Sequence, residues 1–464
     1  MLGVQLAALL DAGTPGEDEA LGLVAGFDEA LVQGFARLGE ERAAALTALA
    51  GAVAGSPLGP AAEDAAGKAT AGSAGDEQLA VLAGARTALL GAVHDARLAA
   101  LDAALGRERE PWPATEPVAA PGNGPLAAAR SWLRELAIAG WHGVGDDALA
   151  AVDQSVEALL AEPPLRRLAV LLDGLAGELR TALPVAAMER LPARRWGDLW
   201  ARAVLLAQPG ALPGGGEPVA RVTGRLLVLG ADVHEHATAV QIQVHALLEP
   251  GDGGPTRAVR TSVSAGKVDT ITGPAVWRLF HRHPVLLSAL AERRALEITE
   301  LPLLAGGDLL WRDDAATAGE PADPFAVARV QLAGALAPPV PPLERHPVRI
   351  AEPVLVEGYA TDGRSLELDG RTLEFDLERL PACGPLTPQL VAASTACLGL
   401  LRQDGGRWLL QPLAVRATVR RKPAEAHNGD WAQGVTDPRA AKAEARNGDA
   451  VEVLRERAGR LLRK

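Results

Sequence analysis

The spacing of apolar residues changes once along this chain, and the change falls at "PGALPGGGEP", residues 209–218. Before it, apolar side chains recur every three or four positions amid Ala, Glu and Arg, the spacing of one face of an α-helix. After it they alternate with polar residues, the spacing of a strand with one buried face. A stretch rich in Gly and Pro at such a switch reads as a linker between two kinds of structure. The expected fold class is therefore α+β. A helical N-terminal half over 1–208 is followed by a linker over 209–218, an antiparallel β-rich domain with a few helices over 219–420, and a linker with an amphipathic C-terminal helix over 421–464.

Within the helical half the periodicity predicts long helices over 17–50 and 78–107. Between them "GSPLGPAAEDAAGKATAGSAGDE", residues 55–77, has few bulky apolar side chains and is expected to be a mobile loop. The stretch "EPWPATEPVAAPGNGP", residues 110–125, is expected to link this pair to a second helical group, where Leu149, Val152, Val156, Leu159 and Leu160 form one stripe. In the strand half, "ATAVQIQVHALLE" puts Val240, Ile242, Val244 and Ala246 on one face and Gln241, Gln243 and His245 on the other, polar one. Asp404-Gly405-Gly406 is a hairpin turn signal. The last helix carries Val453, Leu454, Ala458, Leu461 and Leu462 on one stripe. Because a polar linker precedes it, this stripe is an interaction candidate, docking on its own body or on a partner.

A formal net charge of −12 opposes binding to a phosphodiester backbone, so no nucleic-acid partner is expected. No stretch reaches the ~18 uninterrupted apolar residues of a membrane span, and the first residues lack the pattern of a secretory leader, so a cytoplasmic location without a membrane is expected. Cys383 and Cys397 stand far from any CxxC spacing and read as small buried residues. Gly-Lys pairs at Lys68 and Lys267 are followed by Ala69 and Val268 where a phosphate loop needs Ser or Thr. No cofactor fingerprint, nucleophile elbow or metalloprotease motif is present, so no cofactor is expected. The leading expectation is a non-enzymatic interaction or scaffold subunit with a protein partner.

The histidines offer the alternative from another class. In "GADVHEHATAVQIQVHALLE", His234 and His236 stand two apart, which on a strand places both imidazoles on one face, and His245 follows. A metal-dependent enzyme would use His234 and His236, with His245, or His281 or His283 of "FHRHP", converging to complete the sphere. Otherwise His234 and His236 belong to an exposed hairpin turn. A small-molecule-binding β domain with regulatory output is a further alternative.

Three stretches, "ELAIAGWHGVGDDALAAVDQ", "RRWGDLWARAVLL" and "GRLLVLGADVHEHATAVQIQVHALLE", resemble the region that follows the zinc finger in bacterial SWIM zinc finger proteins. The C-x-C and C-x-H zinc ligands of that family are absent here, so no metal or nucleic-acid role carries over. The resemblance implies an accessory role beside an AAA+ ATPase of the MoxR type.

Overall fold

A computed structural model of the chain describes residues 1–113, 124–209, 218–236, 238–447 and 451–453. The helical half comprises α1 (Gly3–Asp11), α2 (Glu17–Gln33), α3 (Glu40–Ala52), α4 (Gly59–Thr70), α5 (Asp76–Leu105), α6 (Gly124–Ala139), α7 (Asp146–Ala161), α8 (Arg166–Thr181) and α9 (Ala193–Leu206). Its core is built around Phe27, Phe35, Trp132, Trp141, Trp196 and Trp200 with Leu and Ala between them. The indole N–H groups of Trp132 and Trp200 donate to the carbonyls of Ala148 and Leu133, so two of these large side chains are buried without stranding a donor.

Two expectations are corrected here. Residues 55–77 are not a loop, since α4 occupies most of them and buries Ala62, Ala65, Ala66 and Ala69. These lie at i, i+3, i+4 and i+7, and side chains this small let the helix pack closely, so few bulky residues did not mean little burial. The helix expected over 17–50 is two helices, broken where Gly34 takes φ +87° and its backbone meets that of Gly140 at φ +72°. Phe35 and Ala36 then donate to the carbonyls of Ala137 and Ile138. A Cβ on Gly34 would lie 2.5 Å from the Ala139 carbonyl carbon. Gly34→Ala is therefore expected to cost at least about 2 kcal/mol through strained φ and overlap. Gly51→Ala, inside α3 with open space around it, is expected to stabilise by up to about 1 kcal/mol. Urea midpoints of the two variants check both signs.

The β-rich half begins with β1 (Pro218–Glu235), β2 (Ala239–Pro250) and β3 (Arg257–Gly266), then α10 (Pro284–Glu292), β4 (Arg294–Leu304), β5 (Asp308–Leu309), β6 (Ala316–Pro321) and α11 (Pro324–Gln331). Strand β1 pairs with β2 along its second half and with β4 along its first, and the order β1-β2-β3-β5-β4 returns to β1. The ring is closed by a parallel β3–β5 contact and an antiparallel β4–β5 contact. Its interior holds the expected Val240, Ile242, Val244 and Ala246, and α10 covers one end.

The same connectivity then recurs in β7 (Ala351–Glu357), β8 (Ala360–Thr361), β9 (Ser365–Leu368), β10 (Arg371–Phe375), α12 (Pro388–Val391), β11 (Ser394–Asp404), β12 (Arg407–Val419) and β13 (Lys422–His427). With β7 and β8 as one interrupted first strand, the first strand pairs with the second and fourth, the third runs parallel to the fifth, and a helix joins the third to the fourth. Both units are five-stranded barrels of OB-type connectivity. They meet through outward residues of β1, Leu227 and Leu229, packed with Leu398 of β11, Ala414 of β12 and Phe325 of α11. At this contact Gly230 is required, because a Cβ there would lie 2.9 Å from the Leu413 Cβ.

The two halves share a spine. Helix α5 has the length and apolarity of a membrane span, yet Leu79, Leu82, Ala83 and Ala85 enter the helical core while Leu98 and Leu101 enter the interior of the second barrel. Helix α1 also lies on that barrel, with Leu6 and Leu9 among Leu366, Leu373 and Leu410. The stretch expected as a linker from residue 110 starts in order: Glu108 and Glu110 bond Ala337, and Arg109 pairs with Asp102 and Glu352. Residues 114–123 and 210–217 lie outside those described. A further helix, α13 (Pro438–Asn447), follows β13. Beyond it Val451 is buried against the first barrel and Val453 is half exposed, while Leu454, Ala458, Leu461 and Leu462 lie outside the described residues.

Candidate functional site

A cleft of about 1050 Å³ separates the helical half from the barrels. One wall is α9, where Arg194, Asp198 and Arg202 follow one another at every fourth residue and so share a face ~12 Å long. The opposite wall holds His234 and His236, at the turn between the first two strands of the first barrel, and Asp404, Gly405 and Gly406, between the last two strands of the second. OB-type barrels place ligands at loops of these two kinds. The segment Leu343 to Arg349, before β7, forms the floor with Arg345, His346 and Arg349.

Arginines dominate the described surface of the cleft. Arg86, Arg194, Arg195, Arg202, Arg345, Arg349 and Arg379 line it, against Asp28, Glu29, Asp198 and Asp404, and carboxylates outside the lining pair with several of them: Glu178 with Arg195, Glu344 with Arg202 and Arg349, Asp95 with Arg345 and Asp376 with Arg379.

The deepest pair is structural. Arg86 of α5 is 1% exposed, and its Nε and Nη2 reach the two carboxylate oxygens of Asp28 on α2 at 2.7 and 3.1 Å, while Nη1 reaches Asp198 at 2.6 Å. Burial works against the Arg86 charge, but these carboxylates outweigh it and raise its pKa. Helix α9 comes this close because Gly197 has no side chain, since a Cβ there would lie 2.5 Å from Asp28 Oδ1. His346 Nε2 lies 2.8 Å from Asp198, and its Nδ1 accepts from the Val348 N–H. Asp198 is disfavoured as an anion by burial, but His346 and Arg86 prevail and hold its pKa to about 2.

At the other end of α9, Glu344 receives Arg167 at 2.5 Å, Arg202 at 3.0 Å and Arg349 in a still closer contact. Burial and the neighbouring Arg349 and Arg167 push the Arg202 pKa below the ordinary guanidinium value despite Glu344.

Across the cleft, His234 Nε2 lies 2.8 Å from Asp232, a buried carboxylate that also accepts from Arg402 and Gln411 at 2.7 Å each. Burial raises the Asp232 pKa, but His234, Arg402 and Gln411 together hold it well below the usual carboxylate range. His234, His236 and Arg379 also line a smaller cavity of about 310 Å³, so they form the partition between the two spaces.

The three histidines proposed as metal ligands are not brought together. His234 is opposite Gln241 in the β1–β2 register, four residues from His245, or ~13 Å along the strand. His245 is opposite Gly230 and fully buried between the barrels. It shares the polar face with Gln241 and Gln243 as expected, but the second barrel covers that face there. Burial, aided by Arg260, lowers its pKa to about 3, so it is a neutral imidazole. His281 precedes α10 and His283 caps it, 3.9 Å from Asp313, and neither lines the cleft. Among the described residues no group of three or more His, Cys, Asp and Glu is placed to hold a metal ion.

No family model, curated protein or solved structure matches this chain.

Proposed function

We propose that the chain is a non-enzymatic binding subunit of a larger assembly, whose helical half and paired barrels hold an anionic small molecule between them. The observation that carries this reading is the excess of guanidinium groups over carboxylates among the described residues that line a nucleotide-sized cleft. Thr87 is the hydroxyl side chain among the described lining residues, and no cysteine or lysine stands with it, which favours holding a ligand over covalent chemistry. No metal enters this reading. The same proposal includes a cytoplasmic setting and, as the resemblance to SWIM zinc finger proteins implies, an accessory role beside an AAA+ ATPase.

Anions that fill the cleft are expected to raise the melting temperature, since saturation at 100 times Kd adds about 2.7 kcal/mol of stability. The check is a melting series at low ionic strength with citrate, pyrophosphate and sulfate, against a neutral sugar. No rise with any anion, in a protein that also leaves its native extract as a partnerless monomer, would end the proposal.

A further inference from the structure

We propose that the Arg202–Arg349 end of the cleft is a phosphate subsite, and that the ligand is a small molecule bearing a phosphate or pyrophosphate group that bridges to His234 and Arg379 on the barrel wall. The inference rests on the binding reading above and narrows it to one ligand chemistry.

Three features lead there. First, the ion pairs that Arg202 and Arg349 make among the described residues go to one carboxylate, Glu344, which Arg167 contacts as well. One carboxylate neutralises one guanidinium. Arg349 makes the closer contact, so Arg202, 16% exposed and with a buried Nε that has no hydrogen-bond partner, faces the cavity with only a share of Glu344, and burial makes that costly. A single carboxylate from a ligand supplies one negative charge with two oxygens. A terminal phosphate supplies up to two charges with three oxygens, enough for the forks of Arg202 and Arg349 together.

Second, the barrel wall supplies donors of a different kind. His234 is oriented by its 2.8 Å contact with Asp232, and Arg379, held by Asp376 at 3.0 Å, lines the same space. A ligand anchored at α9 and touching His234 and Arg379 ties the helical half to the first and second barrels at once. Ligand occupancy then fixes the relative position of the two walls, the output expected of a binding subunit in an assembly.

Third, the described lining residues include no Trp, Tyr or Phe. Proteins that hold single-stranded nucleic acid in basic grooves stack bases on aromatic rings, and that platform is missing from this lining. The recognised element is thus the phosphate, carried by a small molecule.

The test is calorimetric titration of the full chain with magnesium-free pyrophosphate and, separately, with citrate, which carries a similar charge at neutral pH on carboxylates alone. Pyrophosphate is expected to bind one per chain and about tenfold more tightly than citrate. Arg349→Gln is expected to weaken pyrophosphate about tenfold. Arg349 is 43% exposed, so this variant is expected to fold. Arg379→Gln on the barrel wall is a second, independent probe expected to weaken binding as well. Arg329→Gln, which alters an exposed arginine paired with Glu357 away from the cleft, is expected to leave binding unchanged.

If citrate binds as tightly as pyrophosphate and shows the same dependence on Arg349, the phosphate inference is overturned while the anion cleft stands. Binding that ignores both Arg349 and Arg379 removes the subsite. If neither anion binds, this inference and the binding reading fall together.

Discussion

Replacing Arg86 by Met is expected to destabilise the protein by about 3–5 kcal/mol, one of the largest effects of any single substitution outside the glycine contacts. Arg86 and Asp28 are 1% and 2% exposed and joined by two hydrogen bonds. Methionine fills much of the space but leaves Asp28 buried, with Arg194, 3.1 Å away and itself 38% exposed, as its remaining cation. The cost is the desolvated carboxylate rather than the lost attraction, so Asp28→Leu combined with Arg86→Met is expected to recover most of the loss. Urea denaturation of the two single variants and the double variant measures this. A loss below about 1 kcal/mol for Arg86→Met would show that water reaches Asp28 and that the pair is not closed. Because Arg86 also positions Asp198 on α9, the single variant should bind cleft anions more weakly.

Acidification is expected to unfold the protein in two stages, and the first belongs to one histidine. His245 has a folded pKa of about 3 against about 6.5 in an unfolded chain, so the folded state keeps it neutral. Below about pH 6.5 the unfolded state takes up a proton that the folded state refuses, and stability falls by up to about 1.4 kcal/mol per pH unit. The groups facing His245 are Arg260 on β3, Arg402 on β11, Asp232 on β1 and Glu352 on β7. The second stage involves carboxylates with the opposite shift. Burial disfavours the Glu352 anion, but Arg109 and Arg107 hold its pKa to about 2, and Asp198 is held to a similar value. Their stabilisation is complete above about pH 4.5 and is lost as the pH falls toward 2. Denaturant midpoints between neutral pH and pH ~4 trace the first stage. His245→Gln should flatten it and leave the second in place, whereas an unchanged slope would assign the first stage elsewhere.

What the sequence made legible is what repeats at short range. Val240, Ile242, Val244 and Ala246 alternate because a barrel interior lies on one side of β2, and the helix periods up to residue 208 reflect one helical core. Residues 55–77 were illegible because packing there depends on alanines being small, whereas amphipathic patterns are found through side chains that are large. The paired barrels left no repeat in the sequence because what recurs is connectivity. The first strand is 18 residues in one barrel and seven in its counterpart before the interruption. The cleft was hidden for a related reason. Arg86 and Asp28 are 58 positions apart, and an arginine within a helical pattern ordinarily means a solvated face. One signal was present: Arg194, Asp198 and Arg202 at every fourth residue, with Trp196 and Trp200 on the buried side, describe a helix with an ordered charged face. His234 and His236 stand on one wall of the cleft, but the partner of His234 is Asp232, two residues back, rather than a third imidazole.

The lodging of α1 on the second barrel sets an order of events during synthesis. Leu6 and Leu9 emerge from the ribosome long before residues that cover them, which include Leu366, Leu373 and Leu410. At ~5–20 residues per second, some 20–80 s pass before all of those partners exist. For that interval a nascent chain carries a short apolar helix with nowhere native to rest, while the helices behind it already have most of their own core. A helix held in waiting this way invites a chaperone, and strands of the second barrel complete its burial.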